Sequence, residues 1–192
     1  KNPISRIEVA SAGGYLSYEN IADKATVAGV EVEVRKNLFV RPLSSAANGM
    51  NKLSFGLNGS YIYTNAKMPL ATVTTGSQLE GAAPWIANFD LSHNFTKGNH
   101  SFIHTLVFNY VSDKIYTIGT QGYQDIMEQG MMTLDFVSQA KLNKYVSLTL
   151  KARNLLNPSY KLSRKANESG EKVVLSDYKK GINISLGVSC TF

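Results

Sequence analysis

Three histidines, His93, His100 and His104, sit close enough in sequence to raise metal chemistry. The surrounding residues argue against it. His100 belongs to the short turn-like stretch "TKGNH", and His93 and His104 belong to two separate alternating segments. We read all three as hydrated or membrane-interface histidines and expect no metal and no cofactor. Cys190 is the sole cysteine, so neither a disulfide framework nor a CxxC zinc site is available. Asp90 and Asp135 offer a carboxylate pair for general acid–base work, but charges bonded to water or to another polar part of the protein explain them better. No GxGxxG, P-loop, HExxH or nucleophile elbow is present, and no enzyme is expected. One long segment, "YTIGTQGYQDIMEQG", mixes aromatic faces with amides. Tyr116, Gln121, Tyr123 and Gln124 there are candidate contacts for a sugar or a chelate; the plainer reading is loop surface.

The elements that must position these residues alternate with period two. "GVEVEVR" sets Val30, Val32 and Val34 against Glu31, Glu33 and Arg35. Leu53, Phe55, Leu57, Tyr61 and Tyr63 alternate with Ser54, Gly56, Asn58, Ser60 and Thr64. Trp85, Ala87, Phe89, Leu91 and Phe95 alternate with Asn88, Asp90, Ser92 and Asn94. Phe102, Leu106, Phe108 and Tyr110 share a face, with Ile103 and Val107 opposing them. Met132, Leu134, Phe136, Ala140 and Leu142 oppose Thr133, Asp135, Gln139 and Lys141. Val146, Leu148, Leu150 and Ala152 oppose Ser147, Thr149, Lys151 and Arg153. "GINISLGVSCTF" repeats the rhythm with Ile182, Ile184, Leu186, Val188, Cys190 and Phe192. These are seven strands, each long enough for the roughly 9–11 residues of a tilted membrane strand. An eighth candidate, Ile4–Ala10, is short and weakly patterned. No segment carries a helical period, so the chain reads as all-β and antiparallel.

Composition agrees with a membrane strand protein. Of the 192 residues, 43% are hydrophobic and only 18% charged, below the roughly 25% of a soluble domain. No run approaches the length of a transmembrane helix, which leaves a β-barrel open because alternation hides in a hydropathy average. The net charge of +6 raises nucleic acid as a partner. The basic residues are dispersed, and cluster mainly in turn-like segments such as "LSRKANESGEK" and "SDYKKG", which read as solvated loops; no nucleic-acid partner is expected.

Connection lengths alternate. "TKGNH" and "NKY" are tight, whereas "NAKMPLATVTTGSQLEGAA", "SDKIYTIGTQGYQDIMEQG" and "LNPSYKLSRKANESGEKVVLSDYKKG" are long. Short turns at one end and long loops at the other mark an outer-membrane barrel. "NLFVRPLSSAANGMNK" breaks the rule: by parity it is a short turn, yet it is long. With a periplasmic C-terminus, the long loops are extracellular. Tyr61, Tyr63, Trp85 and Tyr110 then approach the outer rim, and Phe55, Phe95, Phe102 and Phe192 the inner rim. The face bearing Glu31, Glu33, Arg35, Asp90, Asp135, Lys141, Lys151 and Arg153 meets water or a polar plug.

Against this background the chain resembles the TonB-dependent outer-membrane receptors of Gram-negative bacteria, with a Bacteroidetes flavour. "LTLKARNLLNPSY" is similar to their "N-L-[LF]-[ND]-x-x-Y" segment through Asn154, Leu155, Leu156, Asn157 and Tyr160. "SYENIADKATVAGVEVEV" resembles their strand entry through Asn20, Ala25, Gly29 and Glu31. "SLGVSCTF" resembles the C-terminal assembly signal through Ser185, Gly187, Cys190 and Phe192, with Cys190 in place of the usual aromatic. The "Y-x-G-x-D-P-E" segment of the glycan-importing SusC-like branch is absent after Asn154–Leu155.

The resemblance implies a nutrient importer. Residues 1–192 would be the C-terminal portion, the last seven or eight strands, of a barrel of about 22, with the plug domain outside this chain. Implied partners are outer-membrane lipid, the remaining barrel and plug, the TonB system, the outer-membrane assembly machinery and a surface lipoprotein. The alternative reading is a complete eight-stranded outer-membrane barrel with a structural or enzymatic role; a soluble ligand-binding barrel is a third.

Overall fold

The computed structural model describes residues 1–9, 15–43, 49–66, 78–120, 123–166 and 170–191. These residues form strands and no helix. In chain order they are β1 (Ile4–Glu8), β2 (Leu16–Asn20), β3 (Ala25–Pro42), β4 (Met50–Ala66), β5 (Trp85–Lys97), β6 (His100–Val111), β7 (Lys114–Thr117), β8 (Ile126–Glu128), β9 (Met131–Lys141), β10 (Val146–Arg153), β11 (Ser159–Lys165), β12 (Lys172–Lys179) and β13 (Asn183–Cys190).

The seven alternating segments make one antiparallel sheet, ordered β13-β10-β9-β6-β5-β4-β3 and open at both ends. We call it the wall. Its register carries the sequence alternation across every ladder. Leu57 pairs with Val34 and Phe89, Leu106 with Leu91 and Phe136, and Leu150 with Leu186. One face is therefore predominantly apolar from β3 to β13, with Lys36, Arg41, His93, Lys97, His100 and His104 as its charged or imidazole members. The other bears Glu31, Glu33, Arg35, Asn58, Asn88, Asp90, Asp135 and Lys151. A one-residue slip anywhere would put charges on the apolar face, so the pattern itself fixes the pairing.

Aromatic rings cross-brace the apolar face. Tyr61 and Trp85 are partners with centroids 4.6 Å apart, and Phe95 and Phe102 are partners at 6.4 Å. Phe55 sits further up the wall, opposite Leu91, and stacks on Phe89 at 6.4 Å.

The irregular segment after Val34 is mostly strand. β3 runs on to Pro42, and Leu43 N–H closes onto the Gly49 carbonyl at 2.9 Å. A bulge between Asn37 and Phe39 explains why the segment reads as a loop. One extra residue reverses the alternation, so Phe39 and Arg41 join the face that Val30, Val32 and Val34 occupy above it. The join is thus shorter than the sequence suggests, since β3 ends at Pro42 and β4 begins at Met50; residues 44–48 lie outside the described residues.

β1 does not extend the wall. It pairs with β2 in a separate two-stranded sheet, and Ile7 bridges to Ile118. Ala10 lies outside the described residues. The wall thus has seven strands among the described residues. The long connections hold structure of their own: β7, β8, β11 and β12 form a four-stranded sheet ordered β12-β11-β8-β7. This sheet and the β1–β2 hairpin stand at the end where β6, β10 and β4 finish. We call them the cap. The buried apolar core lies here, in Ile7, Ile21, Ala22, Ala66, Ile115 and Ile118.

Candidate functional site

The cap is built from strands too short to be stable alone, and they dock through specific contacts. Glu8 and Ile118 exchange backbone bonds with their neighbours: Glu8 N–H donates to Ile118 O at 3.3 Å, and Ile118 N–H to Arg6 O at 3.0 Å. Gly119 follows at a tight crossing. A Cβ there would meet the Tyr123 carbonyl oxygen at 2.1 Å, so only glycine fits. Its N–H donates to Asp125 Oδ1 at 2.8 Å.

Charge and ring contacts tie the hairpin to the sheet. Arg6 pairs with Glu80 at 3.5 Å and lies over the Tyr116 and Tyr18 rings, 4.4 and 5.9 Å from their centroids. Arg164 pairs with Glu8 and covers Tyr123 at 5.3 Å. Burial pushes the Arg164 guanidinium below its ordinary pKa, and its buried Nε has no hydrogen-bond partner among the described residues. Desolvation, with Glu128 close by as charge and hydrogen-bond partner, pushes the Tyr160 phenol up to about 12.

A cavity of about 670 Å³ opens among these elements, lined by Gln78, Asp113, Gln124, Asp125, Ser163, Arg164, Lys165 and Lys172 among others. Two of its carboxylates are engaged by backbone: Asp125 by Gly119, and Asp113 by the Gly130 N–H at 2.5 Å. The cations Lys165 and Lys172 face one another across the β11–β12 ladder. The arrangement suits a polar ligand carrying acceptor oxygens, held by cations and amides.

Of the four candidate contact residues, the structure brings Gln124 to the cavity wall and Tyr123 under the Arg164 guanidinium. Tyr116 sits in β7, engaged with Arg6 rather than lining the cavity. Gln121 lies outside the described residues. Arg164 corrects the solvated-loop reading of "LSRKANESGEK": its side chain is only 16% exposed and ion-paired.

The polar face of the wall carries its own network. Asn58 Nδ2 donates to Glu31 Oε1 at 2.6 Å, Asn88 Nδ2 donates to Asn58 Oδ1 at 3.3 Å, and Arg35 pairs with Glu33 and, at 3.8 Å, with Asp90. Gly56 makes room for the Asp90 carboxylate, which would lie 2.3 Å from a Cβ. Asp90 and Asp135 do not form a pair. Both are partners of Val107, on its opposite sides, and Asp135 accepts the Asn154 N–H at 2.8 Å.

The structure brings two of the three histidines together and leaves His100 apart. His100 opens β6 opposite Lys97. His93 and His104 are direct cross-strand partners on the apolar face, stacked at 6.2 Å. His93 Nε2 bonds Asn51 Oδ1 at 2.8 Å, and His104 Nδ1 bonds Ser138 Oγ at 3.0 Å. No group of three or more potential metal ligands occurs among the described residues.

The "NLLNPSY" segment has a geometric rationale. Asn154 and Asn157 both adopt positive φ, 59° and 45°, a region asparagine tolerates better than most residues. Their side chains grip Gly181 from both sides. Asn154 Nδ2 donates to the Gly181 carbonyl at 2.7 Å, and Gly181 N–H donates to Asn157 Oδ1 at 3.0 Å. The two ends of the long connection that carries β11 and β12 are thereby clamped together where it leaves the wall.

Ser185, Gly187 and Cys190 lie in β13, opposite Lys151, Thr149 and Val146; Phe192 lies outside the described residues. A Cβ at Gly187 would meet nothing nearer than 3.9 Å, so the fold does not demand glycine there.

The model of one protein family, TonB dependent receptor-like, beta-barrel, matches residues 1–155. The chain matches no curated protein and no solved structure. The matched span ends at Leu155, just past β10, and takes in the β1–β2 hairpin and six of the seven wall strands. Beyond it, β13 continues the same sheet through eight registered pairs with β10. A chain whose wall separates an apolar from a charged face, and most of which the family model covers, belongs to the TonB-dependent receptor β-barrel family, an outer-membrane transport family of Gram-negative bacteria.

Proposed function

We propose that this chain is the C-terminal barrel portion of a TonB-dependent nutrient importer: the wall lines the transport lumen, and the cap forms part of the extracellular ligand site. The observation that carries this reading is the wall itself, apolar on one face, charged on the other and open at both edges. An open sheet edge in hydrocarbon leaves a row of unpaired backbone groups. The wall therefore calls for further strands, and its charged face for water and a plug, on which the TonB system acts. Among the described residues the wall has seven strands and β1 belongs to the cap, which supports this reading over a self-contained eight-stranded barrel.

In this reading the long connections are extracellular and the short turns periplasmic. Tyr123 and Gln124, with Arg164, Lys165 and Lys172, contact the ligand at the cap cavity; Gln121 belongs to the same segment, and Tyr116 holds Arg6 in place. Ser185, Gly187, Cys190 and Phe192 serve as the address read by the assembly machinery. The lack of any packing need for glycine at Gly187 supports a role in being read. A surface lipoprotein is a further partner of the cap.

Uptake by the complete receptor tests the proposal. Cells carrying it are offered iron chelates, cobalamin and oligosaccharides, with and without a working TonB system. One class is expected to enter only when TonB functions, and Arg164→Ala with Gln124→Ala is expected to weaken its binding. Entry that is independent of TonB for every class would overturn the importer reading. Deleting Phe192 is expected to reduce outer-membrane assembly more than Tyr123→Ala does; equal assembly would remove the signal assignment.

A further inference from the structure

On the apolar face of the wall, every charged or imidazole side chain lies toward the short-turn end, and none is acidic. On β3, Lys36 follows Val34 on this face, and Arg41 lies past the bulge as the partner of Asn51. On β5 and β6, Lys97 pairs with His100, and His93 with His104 nearer the middle. The same face of β9, β10 and β13 carries no charge: its residues there run from Met132 to Ala140, Val146 to Ala152 and Ile184 to Cys190. The feature is a local patch, its charged and imidazole groups on β3, β5 and β6, rather than a uniform rim.

Two further observations bear on what meets this patch. The ion pairs of the described residues lie on the polar face or in the cap, as with Arg35–Asp90, Lys114–Glu128 and Lys161–Asp177; none engages Lys36, Arg41 or Lys97. The positive charge is thus not balanced from within the described chain. The His93–His104 pair with Asn51 and Ser138 also places a hydrogen-bonded polar group on the lipid side, separated from Lys97 and His100 by the Phe95–Phe102 ring pair. In acyl chains such a group is costly. At the level where headgroups and ester carbonyls begin, it has partners, and aromatic rings belong there too.

We propose that this patch binds the headgroups of anionic phospholipids in the periplasmic leaflet. Arg41, Lys97 and His100 meet the phosphates, the His93–His104 pair meets the ester region above them, and Lys36, opposite Phe55 one pair further up, reaches down to the phosphates along its flexible stem. Arg41 is suited to phosphate by its planar fork of donors, and the absence of carboxylates on this face leaves nothing to repel the lipid. The inference rests on the family reading that the apolar face meets lipid and the short turns are periplasmic.

The test uses the complete receptor reconstituted in phosphatidylcholine bilayers with spin-labelled phosphatidylglycerol or spin-labelled phosphatidylcholine as probe. The motionally restricted fraction at the protein surface is expected to be several-fold larger for phosphatidylglycerol. Lys36→Gln, Arg41→Gln and Lys97→Gln combined are expected to abolish that preference, and Lys97→Arg alone to keep it. Lys52→Gln with Lys141→Gln, cations at the same end but on the polar face, is expected to leave it intact. If the triple variant does not insert, Lys36→Gln and Lys97→Gln singly are each expected to reduce the preference. No preference in the unaltered receptor, equal loss in the polar-face variant, or full competition by inorganic phosphate would overturn the proposal. Failure of nutrient uptake with the lipid preference intact would strike the import reading alone.

Discussion

The wall and the cap solve burial in opposite ways. Ile118 in the cap is 0% exposed, whereas Leu186 in the wall is 71% exposed and its neighbour Ile184 69%. Both regions are strands, and both carry similar aliphatic side chains. The difference is the solvent each is built for. The cap buries Ile7, Ile21, Ile115 and Ile118 against one another because water surrounds it. The wall keeps its aliphatic face outward because acyl chains are as apolar as leucine, and spends its polar side chains on the other face. Stability in the cap therefore comes from packing, and in the wall from the ladder and the match of each face to its surroundings.

That contrast breaks first, and hardest, at Ile118. Ile118→Ala removes a fully buried side chain where Ile7, Ile21 and Ile115 converge and is expected to cost about 2–5 kcal/mol. The loss should be local. Hydrogen exchange on the complete receptor in bilayers is expected to show deprotected β1 and β7 amides with β5 and β6 unchanged. Equal deprotection of the wall would mean that the two regions are one cooperative unit.

The next largest effect lies in the wall. Leu57→Arg on the apolar face, between Val34 and Phe89, is expected to cost about 2–4 kcal/mol near mid-membrane. Asn58→Arg, one residue along on the charged face beside Glu31, is expected to cost much less. Unfolding by denaturant from vesicles measures both. Comparable costs would mean that the two faces do not differ in solvent.

At the junction of the two regions the effect is smaller. Asn154→Ala loses the Gly181 bond and places alanine at a φ of 59°, together about 1–3 kcal/mol. Asn154→Gly keeps the backbone freedom and loses only the side-chain bond, about 0.5–1.5 kcal/mol. If glycine were as costly as alanine, the clamp rather than the backbone would account for the asparagine.

The same contrast explains what could be read from sequence. The wall was legible because lipid on one side and water on the other impose period two on every strand, and the seven alternating segments are its seven strands. β3 past Asn37 was not, since a one-residue bulge inverts the pattern midway. β7, β8, β11 and β12 were not, since a three-residue strand such as Ile126–Glu128 is too short to show a period and its partner, β11, is remote in sequence. For the same reason composition could single out Tyr123 and Gln124 only as candidates, and Arg164 was passed over: its burial arises only when Glu8 arrives from the far end of the chain. The His93–His104 pairing likewise needs the β5–β6 register, which two separate segments do not disclose.

The subtlest probe of the contrast is Tyr160, a cap residue beside Glu128. Its phenol is held near 12 in the folded protein, against roughly 10 in an unfolded chain. A raised value means the folded cap retains the proton longer than the unfolded chain does. The contribution is complete below pH 10 and is lost as pH climbs from there toward 12. No effect is expected near neutrality. The difference in tyrosinate absorbance between the receptor and its Tyr160→Phe variant isolates this one group, and its midpoint is expected near 12. A midpoint near 10 would show Tyr160 to be as hydrated as a free phenol and the cap to be open around Glu128, which would erase the distinction between a packed cap and a wall that keeps its side chains in contact with solvent or lipid.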